Sequence, residues 1–185
     1  MPFGRPKKKA DPLDESALHD YAVKALGRHM RTVSELTRLM RAKVEKEPGG
    51  QAKIDAVLTR LKEYGYLNDA DYAATYTRLR QENASLGKRR VQQDLTIKGV
   101  NKELITETLA AAYQNVNEEE LARRHLERKR VKKPADQKEA ARVMRLLVRA
   151  GFSTGVIFKI LKSWDVEDEA LVALENVDEP QEGEE

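Results

Sequence analysis

The sequence predicts an all-α chain of three tandem three-helix repeats, stacked into an elongated, curved solenoid. Three observations lead there. Ala, Leu, Arg, Lys and Glu dominate while aromatics make up only 5% of the 185 residues, a composition that favours helices over strands. Apolar residues recur at i, i+3, i+4 and i+7 almost throughout, broken only by short polar or glycine-containing segments. The pattern also repeats: Ile54, Val57, Leu58 and Leu61 align with Ile105, Thr108, Leu109 and Ala112, and these with Ile157, Ile160, Leu161 and Trp164. The three isoleucines lie 51 and 52 residues apart. Helical units with such a period bury their faces mainly against neighbouring units.

The spacing predicts nine helices, over roughly 14–29, 33–46, 51–64, 69–82, 87–98, 101–114, 117–131, 136–149 and 153–164. Before them, residues 1–13 hold Pro2, Pro6 and Pro12 around Lys7, Lys8 and Lys9, which reads as a flexible basic arm. The second helix opens on Thr32-Val33-Ser34-Glu35, a capping box. Its partner helix starts after Glu47-Pro48-Gly49-Gly50, a loop insertion peculiar to the first repeat. Gly65, Gly99 and Gly151 are placed to close helices in the left-handed conformation, with Asn68 or Asp69, Asn101 and Ser153 capping the next ones. Leu36/Met40, Val91/Leu95 and Val143/Leu147 mark equivalent helices, and a glycine follows the last two pairs by four residues. The repeats are thus bounded at 14–67, 68–115 and 116–164.

Charge is unevenly placed. The net +3 joins a segment 165–185 with ten acids and no base to a body in which 34 basic residues face 21 acidic ones, a surplus of +13. The acidic segment reads as a tail, largely disordered apart from a helical turn or two near Leu171 and Leu174. The sequence excludes several classes. Cysteine is absent, so there is no disulfide framework, thiol nucleophile or cysteine metal site. No apolar run reaches transmembrane length, and the basic N-terminus lacks the apolar core of a secretory signal, so a cytoplasmic protein is expected. His19, His29 and His125 have no companion ligand at metal spacing, no phosphate-binding glycine loop occurs, and the carboxylates sit beside Lys and Arg at helical spacing. No catalytic, cofactor or metal site is expected.

The basic clusters carry the functional signal. Lys88, Arg89 and Arg90 open the fifth helix, with Arg78 and Arg80 on the helix before it. Cations at a helix N-terminus oppose the macrodipole, which suggests an anionic partner. A denser cluster comprises Arg123, Arg124, Arg128, Lys129, Arg130, Lys132 and Lys133, continuing with Lys138, Arg142, Arg145 and Arg149. These residues, Lys138 apart, form the candidate polyanion- or acidic-protein-binding surface. A helix-turn-helix reader is disfavoured, because the would-be recognition helix Asn101 to Glu107 carries two acids to one base. Tyr66, Tyr72 and Tyr76 could stack bases but are assigned to packing.

The motif blocks resemble a known family. Leu26-Gly27-Arg28 followed by Ser34-Glu35-Leu36, then Val57 to Leu61, then Gly65-Tyr66-Leu67-Asn68-Asp69-Ala70-Asp71-Tyr72-Ala73 is similar to the opening of the RecX regulatory proteins. Gly87, Arg90, Val91, Asp94, Leu95, Lys98, Gly99 and Val100 resemble the pattern G-x-x-R-I-x-x-E-L-x-x-K-G-I of that family. Lys138 to Trp164 follows more loosely. Asn68 for the first Asp of the family block, Tyr72 for its Phe, and the loop insertion are departures. The resemblance implies a non-enzymatic, monomeric, all-helical modulator that binds the RecA filament on single-stranded DNA. It would mainly inhibit RecA ATPase, strand-exchange and co-protease activity, in DNA repair and the SOS response. The alternative is an autonomous, non-specific nucleic-acid-binding helical protein. For the acidic tail two readings stand side by side: it folds back on the basic surface and competes with DNA, or it is a solvated end.

Overall fold

The computed structural model describes residues 13–44 and 48–166. Within them are nine α-helices and no strand: α1 (Glu15–Leu26), α2 (Val33–Val44), α3 (Gly50–Glu63), α4 (Asp69–Ala84), α5 (Lys88–Ile97), α6 (Lys102–Tyr113), α7 (Glu118–Arg128), α8 (Gln137–Arg149) and α9 (Thr154–Lys162). The basic arm up to residue 12 and the acidic tail from residue 167 lie outside the described residues.

Two compact units divide the chain. The first holds α1 to α3, the start of α4 through Tyr72, and Lys98–Val100; the second runs over Ala73–Ile97 and from Asn101 onward.

In the first unit, α1, α2 and α3 pack on one another around Leu18, Ala22, Leu36, Met40, Ile54, Val57, Leu61 and Leu67. The repeated anchors of α3 are all buried. The capping box forms as the sequence predicts: the Glu35 N–H donates to Thr32 Oγ1 at 3.0 Å and the Thr32 N–H donates to Glu35 Oε2 at 3.3 Å. Thr32 does more than cap. It is fully buried, and its hydroxyl donates to the Lys98 carbonyl at 2.6 Å. Next to that carbonyl, Gly99 adopts a φ of +75° with its Cα against the Ser34 side chain, so no Cβ fits.

The second unit's main core is formed by Leu121, Leu126, Val143, Met144, Leu147, Phe152, Ile157, Ile160 and Leu161. Val91 and Leu95 of α5 and Ile105 and Leu109 of α6 are buried as the repeat requires, whereas Thr108, Ala112 and Trp164 are half-buried. The second unit repeats the contact made at Gly99. The Gly87 N–H, at the head of α5, donates to the Ala150 carbonyl at 2.8 Å. Gly151, with φ +87°, lies against the Arg90 backbone. In both places the residue before a left-handed glycine accepts a hydrogen bond from the residue preceding an upstream helix.

Two side-chain assignments need correction. Ser153 stands at the N-cap of α9 but makes no capping bond. Its hydroxyl donates to Glu118 Oε2 and its N–H to Glu118 Oε1, at 3.1 and 3.2 Å, two hydrogen bonds strengthened by the carboxylate's charge. Tyr66 is not packed either. It is 65% exposed, and its ring meets that of Tyr64 edge-on with centroids 6.3 Å apart.

Candidate functional site

All fifteen candidate basic residues belong to the second unit. Fourteen are exposed, and Arg123 is half-buried. The structure sorts them by what they touch.

Three that lie outside the clefts described below are tied to neighbouring groups on the chain. Arg78 pairs with Glu82 at 2.8 Å, Arg123 with Glu119 at 2.9 Å and Ser163 at 3.1 Å, and Arg128 donates to the Glu82 carbonyl at 2.9 Å. The side chains of Lys88, Arg89 and Arg124 have no hydrogen-bond or ion-pair partner among the described residues, and neither cleft described below includes them.

The remaining nine line two adjoining clefts. The larger, about 540 Å³, is bounded by Arg80, Arg90, Lys129, Arg142, Arg145 and Arg149, with Asp94 its one acidic side chain. Leu86, Leu146 and Ala150 form its apolar lining, with His125 beside them. The smaller, about 320 Å³, is bounded by Lys129, Arg130, Lys132, Lys133 and Arg142 with Glu139, over Val131, Val143 and Leu146. Lys129, Arg142 and Leu146 belong to both.

Helix α8 supplies the wall because of its periodicity. Ala140, Ala141, Val143, Met144 and Leu147 are buried, while Arg142, Arg145 and Arg149, at i, i+3 and i+7, stand on the solvent face. No side chain of these three, nor of Lys129, Arg130 or Lys132, has a hydrogen-bond or ion-pair partner among the described residues. Six unpaired cations at so short a range repel one another, and an anion in the clefts would relieve that.

Arg80 and Arg90 are held in place by a polar chain. Arg90 Nε donates to Asp94 Oδ1 at 3.0 Å, and the Tyr76 hydroxyl donates to Asp94 Oδ2 at 3.0 Å. The Arg80 guanidinium lies over the Tyr76 ring, 4.7 Å from its centroid. Burial, aided by the Asp94 carboxylate, raises the Tyr76 phenol above its ordinary value, so it remains a donor. Tyr76 is thus packed, as the sequence suggests, but its hydroxyl is spent on Asp94 rather than left in water.

The junction between α4 and α5 is fixed from below. His125 is 5% exposed; its Nδ1 lies 2.8 Å from the Ala84 carbonyl, which can only accept, so that nitrogen carries the proton. Its ring meets Phe152 edge-on at 6.1 Å. The Tyr113 hydroxyl donates to the Leu86 carbonyl at 2.8 Å, and burial pushes its phenol well above the usual tyrosine range.

Bringing Arg80 and Arg90 beside Arg142, Arg145 and Arg149 depends on the Gly87–Ala150–Gly151 backbone contact, which sequence reading missed. Its signal was present: Gly87 precedes α5 just as Thr32 precedes α2, and Gly151 matches Gly99. Among the described residues no cluster of His, Asp or Glu could hold a metal, and no helix is long and apolar enough to cross a membrane.

Comparison with known proteins places these features in a family. Residues 68–109 match the family model for the second three-helix domain of RecX, and residues 117–161 the model for its third three-helix domain. A regulatory protein RecX of Leptothrix cholodnii is 34% identical over 151 residues, covering 82% of this chain and 91% of the relative. That of Mycobacterium sp. strain JLS is 30% identical over 161 residues, covering 84% and 86%. The crystal structure of RecX from Lactobacillus salivarius superposes with a TM-score of 0.64 at 19% identity, covering 82% of this chain and 96% of that one. A second crystal structure of a regulatory protein RecX gives 0.67 at 20% identity, covering 80% and 73%. The helical architecture and the extent of these similarities together show that the chain belongs to the RecX family of regulatory proteins.

Proposed function

We propose that this chain is a non-catalytic modulator of RecA, acting on the RecA filament on single-stranded DNA and mainly inhibiting its ATPase, strand-exchange and co-protease activities. The observation that carries this reading, beyond family membership, is the pair of clefts in which nine basic side chains face two acidic ones. A nucleoprotein filament presents regularly spaced phosphates and acidic protein surface, and either would neutralise those cations. The three repeats 14–67, 68–115 and 116–164 would supply helix faces for the contact, with the third contributing most of the free positive charge.

The test is RecA-catalysed ATP hydrolysis on single-stranded DNA, titrated with this protein from sub-stoichiometric to equimolar amounts. Hydrolysis should fall, and substituting Arg142, Arg145 and Arg149 by Glu should weaken the effect at least about tenfold, the equivalent of roughly 1.4 kcal/mol. Unchanged hydrolysis across the range would exclude the reading. The clefts also favour a second reading, direct non-specific binding of single-stranded nucleic acid without RecA, which oligonucleotide binding by the protein alone tests.

A further inference from the structure

We infer that the smaller cleft is a docking site for the acidic carboxy-terminal segment of this same chain, residues 167–185, which competes there with external anions. The inference rests on the proposed function only for the identity of the competitor; docking itself stands on three observations.

The first is where the described chain ends. Helix α9 closes with the Val166 N–H on the Leu161 carbonyl and the Asp165 N–H on the Lys162 carbonyl, and Asp165 takes a left-handed φ of +57°. Val166 then packs against the core of the second unit. That turn brings the Asp165 carboxylate onto Lys133 Nζ at 2.6 Å. Lys133 lines the smaller cleft, so the first acid of the carboxy-terminal segment already sits at its rim. The hydrogen bond from Lys133 holds the Asp165 carboxyl below its ordinary range.

The second observation is charge. Nine carboxylates follow Val166 with no Lys or Arg among them. The cleft offers Lys129, Arg130, Lys132 and Arg142, none with an ion-pair partner among the described residues. Its one acid, Glu139, accepts from the Ala135 N–H. The third is reach. Nineteen residues follow Val166, and a flexible chain of that length has a root-mean-square span of roughly 24 Å. A segment starting at Lys133 therefore has both the length and the charge to cover the cleft. A local concentration in the millimolar range makes even weak ion pairing effective against a competitor in solution.

The test uses the full chain. Carbodiimide coupling, which joins carboxylates to amines in contact, should give Asp165–Lys133 as an internal control, plus products joining Lys129 or Lys132 to acids of residues 167–185. A control product without those others overturns docking. In parallel, a full-length variant with the nine tail carboxylates replaced by their amides should bind a labelled single-stranded oligonucleotide roughly three- to tenfold more tightly at low salt, the gap closing at high salt as screening removes both interactions. Equal affinity of the two chains at all salt concentrations overturns the competition. Should neither chain bind the oligonucleotide, the nucleic-acid reading fails while the coupling products still decide docking.

Discussion

At the scale of single residues, two glycines in the same conformation carry unequal burdens. Gly65 and Gly151 both end helices with positive φ, +71° and +87°, and both precede a residue whose N–H reaches back five residues to close the turn. A Cβ on Gly65 would stand in open space; on Gly151 it would collide with the Arg90 backbone. Gly65→Ala should therefore cost only the left-handed penalty, about 1–2 kcal/mol. Gly151→Ala adds overpacking against backbone that cannot yield, for a total of about 3 kcal/mol or more. Urea unfolding of the two variants checks this, and equal losses would show that the Gly87–Gly151 approach is not rigid. A positive φ was legible from a glycine after a helical run. The collision was not, since it depends on a backbone 61 residues away along the chain. Arg130 and Asp165 take the same left-handed turn with φ of +53° and +57° and no glycine to announce it, so the ends of α7 and α9 were less legible than that of α8.

At the scale of the element, α2 shows how one helix start serves two purposes. Glu35 closes the capping box and also accepts from Lys98 Nζ at 2.9 Å. The Lys98 ammonium also lies 5.6 Å from the centroid of the Tyr72 ring. Burial acts to raise the Glu35 carboxyl, but the Lys98 hydrogen bond and the Thr32 N–H outweigh it and hold it below its ordinary value of 4.5. Burial likewise acts to lower Lys98, and its bonds to Tyr72 and Glu35 raise it above 10.5. A lowered carboxylate contributes stability above its unfolded pKa and loses it as pH falls through the folded one. A raised ammonium contributes below its unfolded pKa and loses it as pH rises through the folded one. Glu35→Gln keeps one acceptor for the Thr32 N–H and removes both the charge and the acceptor that faces Lys98. It should destabilise by about 1 kcal/mol at neutral pH, with the gap from the parent protein closing below pH 4.5. Thermal melts at pH 7 and pH 3 read this directly. The capping box could be seen in four consecutive residues; the Lys98 partner could not, because 63 positions separate it from Glu35.

At the scale of the whole molecule, near-neutrality conceals segregation. The net +3 is the sum of a strongly basic body and a strongly acidic end, and six cations unpaired among the described residues gather along one face of α8 and the turn after α7. Linear sequence showed the amount of charge and the helical stripe Arg142, Arg145 and Arg149. It did not show that Arg80 and Arg90 join them, since that requires the α5 start to meet the α8 end. If the clefts hold phosphates, each contact displaces counterions, and the logarithm of the affinity for single strands falls with the logarithm of salt by about 0.7 per contact. Replacing Arg142, Arg145 and Arg149 by Ala should then flatten that slope by about 2. Replacing Arg78, Arg123 and Arg128, which are occupied by Glu82, Glu119 and a backbone carbonyl, should leave it nearly unchanged. Both triple variants remove the same formal charge, so equal slopes would mean that nucleic acid responds to the overall field and not to the clefts.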